Sequence, residues 1–226
     1  MKKKLCLMIF AFLAAVGIFA QTIDELTQKI RTNPNDIGAY FDRGMAYLQR
    51  NEFDRAIEDF SQVIRLNANI DFAYATRADA YRLKGDQDRA IADYTQAIRI
   101  AGTDTNKAAF YCNRGLAYKN KNDADRAIAD YTEAIRLNPN EVNAYSNRAW
   151  VYNHVKKDYD RAAADLTQVI RLRPNDAEAY FDRGLKYALK GDYNRAAADW
   201  EAALRINPNH AEARQILENA RQARGR

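Results

Sequence analysis

Residues 108–141 read AAFYCNRGLAYKNKNDADRAIADYTEAIRLNPNE, and four further versions of this stretch start at Ile37, Asp71, Val142 and Ala177 with no unrelated sequence between them. The five units are 34, 37, 34, 35 and 34 residues long. A period in this range with two helical stripes per unit means that no unit buries its apolar face alone. Neighbours must stack, and the expected architecture is an all-α solenoid of antiparallel helix pairs.

With Ala108 as place 1, each place has a chemistry. Place 4 is tyrosine throughout (Tyr40, Tyr74, Tyr111, Tyr145, Tyr180), and so is place 11 (Tyr47, Tyr81, Tyr118, Tyr152, Tyr187). Place 8 is small: Gly44, Ala78, Gly115, Ala149, Gly184. Spacings of four and three put these on one face of a first helix. A mid-helix glycine costs about 1 kcal/mol against alanine, so its return at place 8 predicts that another backbone passes very close. The second helix sets alanine at place 20 one turn before a large residue at place 24 (Phe60, Tyr94, Tyr131, Leu166, Trp200), a pairing that lets antiparallel helices interlock. Units close on Asn138-Pro139-Asn140, Arg173-Pro174-Asn175 or Asn207-Pro208-Asn209, where proline ends one helix and the polar residue after it can cap the next.

This pattern resembles the tetratricopeptide repeat family, which sets large, small and aromatic residues at places 4, 8 and 11, and alanine, aromatic, small residue and proline at 20, 24, 27 and 32. The resemblance spans five units, 37–70, 71–107, 108–141, 142–176 and 177–210. Place 32 departs at Ala68 and Gly102, three extra residues at 105–107 are expected to lengthen the link into the third unit, and one near Lys156 lengthens the turn within the fourth. Place 7, usually leucine in the family, is arginine in every unit, one residue before the small contact. A guanidinium buried there needs a paired, hydrogen-bonded carboxylate. Place 23 is aspartate in every unit, which predicts Arg43 with Asp59, Arg77 with Asp93, Arg114 with Asp130, Arg148 with Asp165 and Arg183 with Asp199, or each with the neighbouring unit's aspartate.

The ends read differently. Lys2, Lys3 and Lys4 precede the apolar run 5–19, and Ala20 offers a small residue before a cut at Gln21, so residues 1–20 are expected to be a secretory signal peptide and the chain to be exported, periplasmic or secreted. The run is too short to span a bilayer, so no membrane span is expected after cleavage. Residues 21–36 form a half-unit, with Thr22 and Glu25 in a capping box and Ile23, Leu26 and Ile30 on one face. Residues 211–226 supply a capping helix, with Ala213, Ile216, Leu217 and Ala220 inward. Losing three lysines lowers the formal charge from +5 to +2, and the arginines recur in register at places 19 and 29, so no nucleic-acid partner is expected. Cys112 is the cysteine left after cleavage, so no internal disulfide forms. Its own role is left open.

Catalytic and metal-binding motifs are missing from the sequence. His154 and His210 lie far apart in the repeat frame, and the acids follow the period, so neither enzyme activity, cofactor nor metal is expected. All fourteen tyrosines fall at places 4, 11, 17 or 24 and read as core. Function then falls to places 2, 5, 6, 9, 12 and 13, which the resemblance assigns to a groove for peptides or protein segments. These include Phe41, Phe72, Asn113, Lys119, Asn143, Asn147, Asn153, His154 and Phe181, with Trp150 at place 9 where no other unit has an aromatic. Asn113 and Asn147 share place 6 and resemble the asparagine ladder with which some members hold a peptide backbone. Place 5 carries no lysine, so the family's clamp for a C-terminal carboxylate is not expected. The reading is an exported, non-enzymatic scaffold for an extended peptide or protein partner. The alternative is a structural subunit of a cell-envelope assembly that uses its edges or convex face. Oligomeric state is not legible.

Overall fold

A computed structural model describes residues 22–224, so the signal sequence expected over 1–20 lies outside the described residues. Among the described residues there are twelve α-helices and no strand. The chain divides after Ala68 into two compact units.

The first unit holds α1 (Ile23–Thr32), α2 (Ile37–Gln49) and α3 (Phe53–Leu66). Thr22 caps α1 through the amide of Glu25, whose carboxylate returns the bond to the Thr22 amide at 2.8 Å. Leu26 and Ile30 are buried against Ala39 of α2. Asp36 caps α2 by accepting from the Ala39 amide at 2.9 Å.

The second unit runs through α4 (Asp71–Lys84), α5 (Gln87–Ile100), α6 (Asp104–Asn120), α7 (Ala124–Leu137), α8 (Val142–Val151), a π-helical turn (Tyr152–Lys156), α9 (Tyr159–Leu172), α10 (Ala177–Leu189), α11 (Tyr193–Ile206) and α12 (Ala211–Arg224). Each helix packs against the next, and the pairs stack as an α-solenoid. Asp86, Asp123, Asp158 and Asp192 cap the second helices and pair with the arginine three residues on. Lys121 reaches Asp88, Lys156 reaches Asp125 and Lys190 reaches Asp160, so each turn is tied to the preceding repeat.

The place-24 residues fill the space between paired helices: Phe60, Tyr94 and Tyr131 are fully buried, and Leu166 and Trp200 nearly so. Glycine at place 8 answers to these side chains more than to a passing backbone. A Cβ on Gly44 would stand 2.8 Å from the Phe60 ring, and one on Gly115 2.8 Å from the Tyr131 ring. On Gly184 it would meet Trp200 at 2.6 Å, with the Ala196 carbonyl the one close backbone atom at 3.1 Å. Place 8 is alanine in the other two units, Ala78 packed with Tyr94 and Ala149 in the unit whose place 24 is Leu166.

Three further expectations need correction. Residues 105–107 do not lengthen a link; they lie inside α6, which starts at Asp104 behind the Thr103 cap and is 17 residues long. Tyr193 at place 17 is exposed rather than part of the core. Ala220 is exposed too, and α12 packs through Ala213, Leu217 and Ile216 on Trp200 and Ala203. The extra residue near Lys156 is absorbed by the π-helical turn and by Lys157, held at φ 54°. The matching place in the other units is Asn51, Gly85, Asn122 or Gly191, residues that take the left-handed region more readily.

Candidate functional site

The place-7 arginines are structural groups with a common geometry. In each unit the guanidinium grips its own unit's aspartate through Nε and Nη2: Arg43 on Asp59 at 2.8 and 2.7 Å, Arg77 on Asp93 at 2.7 and 2.8 Å, Arg114 on Asp130 at 2.8 Å twice, Arg148 on Asp165 at 2.9 and 2.7 Å, and Arg183 on Asp199 at 2.8 and 2.7 Å. The remaining nitrogen, Nη1, donates to a threonine of the preceding repeat: Arg43 to Thr27, Arg114 to Thr95, Arg148 to Thr132 and Arg183 to Thr167. Each guanidinium also lies over the place-4 tyrosine ring of its unit, at 5.2 to 6.0 Å. Bidentate hydrogen bonding with the aspartates holds the guanidinium pKa values above their already high ordinary range. A carboxylate, a hydroxyl and an aromatic face thus replace the water such a group loses on burial.

The free places of the first helices behave differently. Trp150 projects from α8 and is 44% exposed. The Lys119 ammonium, from α6, lies 4.8 Å from the centre of its indole and hydrogen-bonds the Asn147 side-chain oxygen at 3.4 Å. Burial lowers the Lys119 pKa. The His154 ring, one turn on in the π-helical segment, stacks on Trp150 at 4.4 Å and 21°, and its Nδ1 donates to the Trp150 carbonyl at 3.0 Å. The extra residue of the fourth unit therefore serves to bring these two rings together.

Beside this stack a cleft of about 170 Å³ opens between α8, the π-helical turn, α9 and α10. Ala149, Leu166, Val169 and Ala179 form an apolar floor, while Ser146, Trp150, Asn153 and His154 stand on one wall. On the other are Asp182 and Lys186 of α10, with Asp176 and Glu178 at the mouth. Lys186 is 6% exposed and has no ion pair or hydrogen bond with another described residue. Burial lowers its pKa, opposed in part by the charge of Asp182.

Of the residues expected in a groove, Lys119, Asn147, Trp150, Asn153 and His154 thus cluster around one indole and one cleft. Asn113 and Asn143 are half-buried on α6 and α8. Phe72 is exposed and sets its ring against Phe110 on the α4–α6 side of the second unit, 5.6 Å away at 80°. Phe181 is packed with the α11–α12 cluster and tilts against His210, and Phe41, in the first unit, tilts against Phe60. These three do not join the cluster. Cys112 is buried under α7, and burial pushes its thiol up to about 12. Lys186 is the site residue that the sequence expectations missed. Its signal was available: the other units carry Ala46, Ala80, Ala117 and Val151 at its place 10. Among the described residues, no group of three or more His, Cys, Asp or Glu is placed to hold a metal ion, and no helix is long and apolar enough to cross a membrane.

Helix pairs of this geometry define an α-solenoid class, and sequence comparison gives the family. Profiles of the tetratricopeptide repeat match residues 38–70 and 108–141, 78–122, 130–164 and 152–221. The chain is a tetratricopeptide-repeat protein. No curated protein matches its sequence. Among solved structures it is similar to YrrB, described as a TPR protein with an unusual peptide-binding site, at 21% identity and TM-score 0.65 over 87% of this chain and 100% of that one. It is also similar to MamA, at 24% identity and TM-score 0.67 over 78% of this chain and 94% of that one. BtubC from P. vanneervenii matches at 20% identity and TM-score 0.67, covering 82% and 87%. At these identities the likeness is one of fold.

Proposed function

We propose that this chain is an exported, non-enzymatic scaffold that holds a protein or extended peptide partner on the first-helix face of its second unit, centred on Trp150. The observation that carries the reading is a 44% exposed indole, at a place the repeat leaves free, flanked by Lys119 and His154 and opening on a cleft. A half-exposed tryptophan ringed by polar groups has the composition of an interface hot spot. The peptide-binding site described for YrrB, of the same fold, is in keeping with it. Export rests on the leader-like residues 1–20.

Crosslinking the full chain in its native cells and identifying the attached protein tests the proposal. Trp150→Ala should leave the melting temperature within about 2 °C and abolish that capture, since truncating a hot spot costs about 2 kcal/mol or more. Capture that survives the substitution removes the face from consideration. It would turn attention to the exposed Leu189 and Tyr193 at the α10–α11 turn, which an assembly built through helix edges would use.

A further inference from the structure

Four departures from the repeat meet in one cleft. Place 24, aromatic in the other units, is Leu166, which frees volume on the floor. The π-helical turn sets His154 against Trp150 on one wall. Place 10, alanine or valine elsewhere, is Lys186, a buried residue that lines the cleft beside Asp182 with no ion pair or hydrogen bond to another described residue. The place-9 indole is exposed at the rim. A lysine that replaces a core alanine is a cost to folding unless something meets its donors.

We propose that this cleft is a side-chain pocket for a primary carboxamide, a glutamine or asparagine of the bound partner, whose oxygen accepts from Lys186 and whose amino group donates to Asp182. The proposal rests on the partner-binding reading of the Trp150 face. The volume, about 170 Å³, suits one side chain rather than a whole small molecule. Lys186 and Asp182 stand one turn apart on α10 and offer a donor and an acceptor side by side, the complement of an amide's oxygen and NH₂. Charge selects against the alternatives. A carboxylate would enter past Asp176, Glu178 and Asp182, while an ammonium or guanidinium, although drawn by those acids, would have to compete with Lys186 for Asp182, which a neutral amide does not. The apolar floor takes the methylenes, and the indole edge covers the amide plane.

The test titrates the full chain with acetyl-Ala-Ala-X-Ala-Ala N-methylamide peptides, whose ends carry no primary carboxamide, in which X is Gln, Glu, Lys or Met. The readout is tryptophan emission, to which exposed Trp150 responds and buried Trp200 does not. The Gln peptide should bind roughly tenfold tighter than the Met peptide, as two modest hydrogen bonds provide, and tighter than Glu or Lys. Lys186→Met should abolish that preference and raise the melting temperature, because a largely desolvated ammonium without a hydrogen-bonded partner is removed. Equal binding of the four peptides, a preference for Glu or Lys, or no response up to about 10 mM, weaker than even a side-chain-sized ligand should bind, overturns the assignment. So does a Lys186→Met variant that melts lower and keeps the preference. If Trp150→Ala still abolishes capture of the native partner in those cases, the scaffold reading stands without the carboxamide pocket. If capture is untouched, the scaffold reading falls with it.

Discussion

Asp130→Ala probes the arginine device that recurs through the repeats. Both Asp130 oxygens receive Arg114, through Nε and Nη2 at 2.8 Å each, and the side chains are 7% and 17% exposed. Alanine leaves the guanidinium with one hydrogen bond, to Thr95 at 2.9 Å, and the face of Tyr111 at 5.2 Å. Breaking a buried pair costs about 3–5 kcal/mol, much of it the burden of the orphaned charge. Arg114 keeps enough exposure for water to relieve part of that, which puts the expected loss near 3 kcal/mol, or about 6–12 °C in a chain of this size. The control is Glu133→Ala, which removes the 65%/35% exposed pair with Arg136 and should change stability by less than about 0.5 kcal/mol. Urea melts followed by circular dichroism at 222 nm compare the two. Exchanging both partners, Arg114→Met with Asp130→Leu, should recover most of the loss, as apolar replacements of buried pairs do. An Asp130→Ala loss as small as that of Glu133→Ala would mean that water reaches the guanidinium freely and that the pairs do not hold the stack.

Gly184→Ala should destabilise by about 1–2 kcal/mol in the same melts, since overpacking against Trp200 and the Ala196 carbonyl outweighs the gain in helix propensity; a neutral or stabilising result would show that the indole yields. Native Cys112 should resist iodoacetamide at pH 8 and react once unfolded in urea, because its thiol is buried and titrates at about 12. The same upward shift from 9.0 makes a contribution to stability that is complete below about pH 9 and is lost as pH rises towards 12, so the melting temperature should fall over that window, less so in Cys112→Ala; identical alkaline profiles would contradict this. Deleting residues 211–226 uncovers Trp200 and Ala203 and should cause association in light scattering; a monomer with an unchanged melt would show that α12 caps nothing. Mass spectrometry of the protein recovered outside the cytoplasm should find Gln21 at the N-terminus; a chain that retains Met1 would refute cleavage of the leader.

The fold was legible because a repeat states its contacts five times. Tyrosine, a small residue and tyrosine at places 4, 8 and 11 define a helix face without reference to anything else, and Pro139, Pro174 and Pro208 mark the ends. What stayed hidden was geometry that the period does not encode. A glycine announces a close approach but not whether backbone or ring makes it, and here Phe60, Tyr131 and Trp200 do. Extra residues announce a change of length but not where it is absorbed; 105–107 lengthened a helix, and the one near Lys156 became a π-helical turn. The threonine of the preceding repeat, as third partner of Arg43, Arg114, Arg148 and Arg183, was invisible because the hydroxyl is as much at home in water. Trp150 stood out in the sequence by size, whereas Lys186 did not, since a lysine on a helix is ordinary until place 10 is known to face inward.

Repeat proteins gain stability from each interface in turn, so a unit that departs from the consensus weakens its own contribution. The fourth unit and the helix that follows it depart four times, at Trp150, at the turn ending in Lys157, at Leu166 and at Lys186. Each departure alone has a bland account: a surface aromatic, an insertion in a turn, a smaller core residue, a stray charge. Their convergence on one cleft does not, because Leu166 and Lys186 line the same cleft as His154 and Trp150, and the turn that costs a left-handed lysine is the one that sets His154 against the indole. For Leu166, Lys157 and Lys186 the stable alternative is present elsewhere in the same chain, in Tyr131 with Gly115 facing it in place of Ala149, in Asn122 and in Ala117. Grafting these residues onto the fourth unit and α10 should therefore raise the melting temperature and silence the partner together, and a graft that raises one without the other would separate the cleft from the work of the protein.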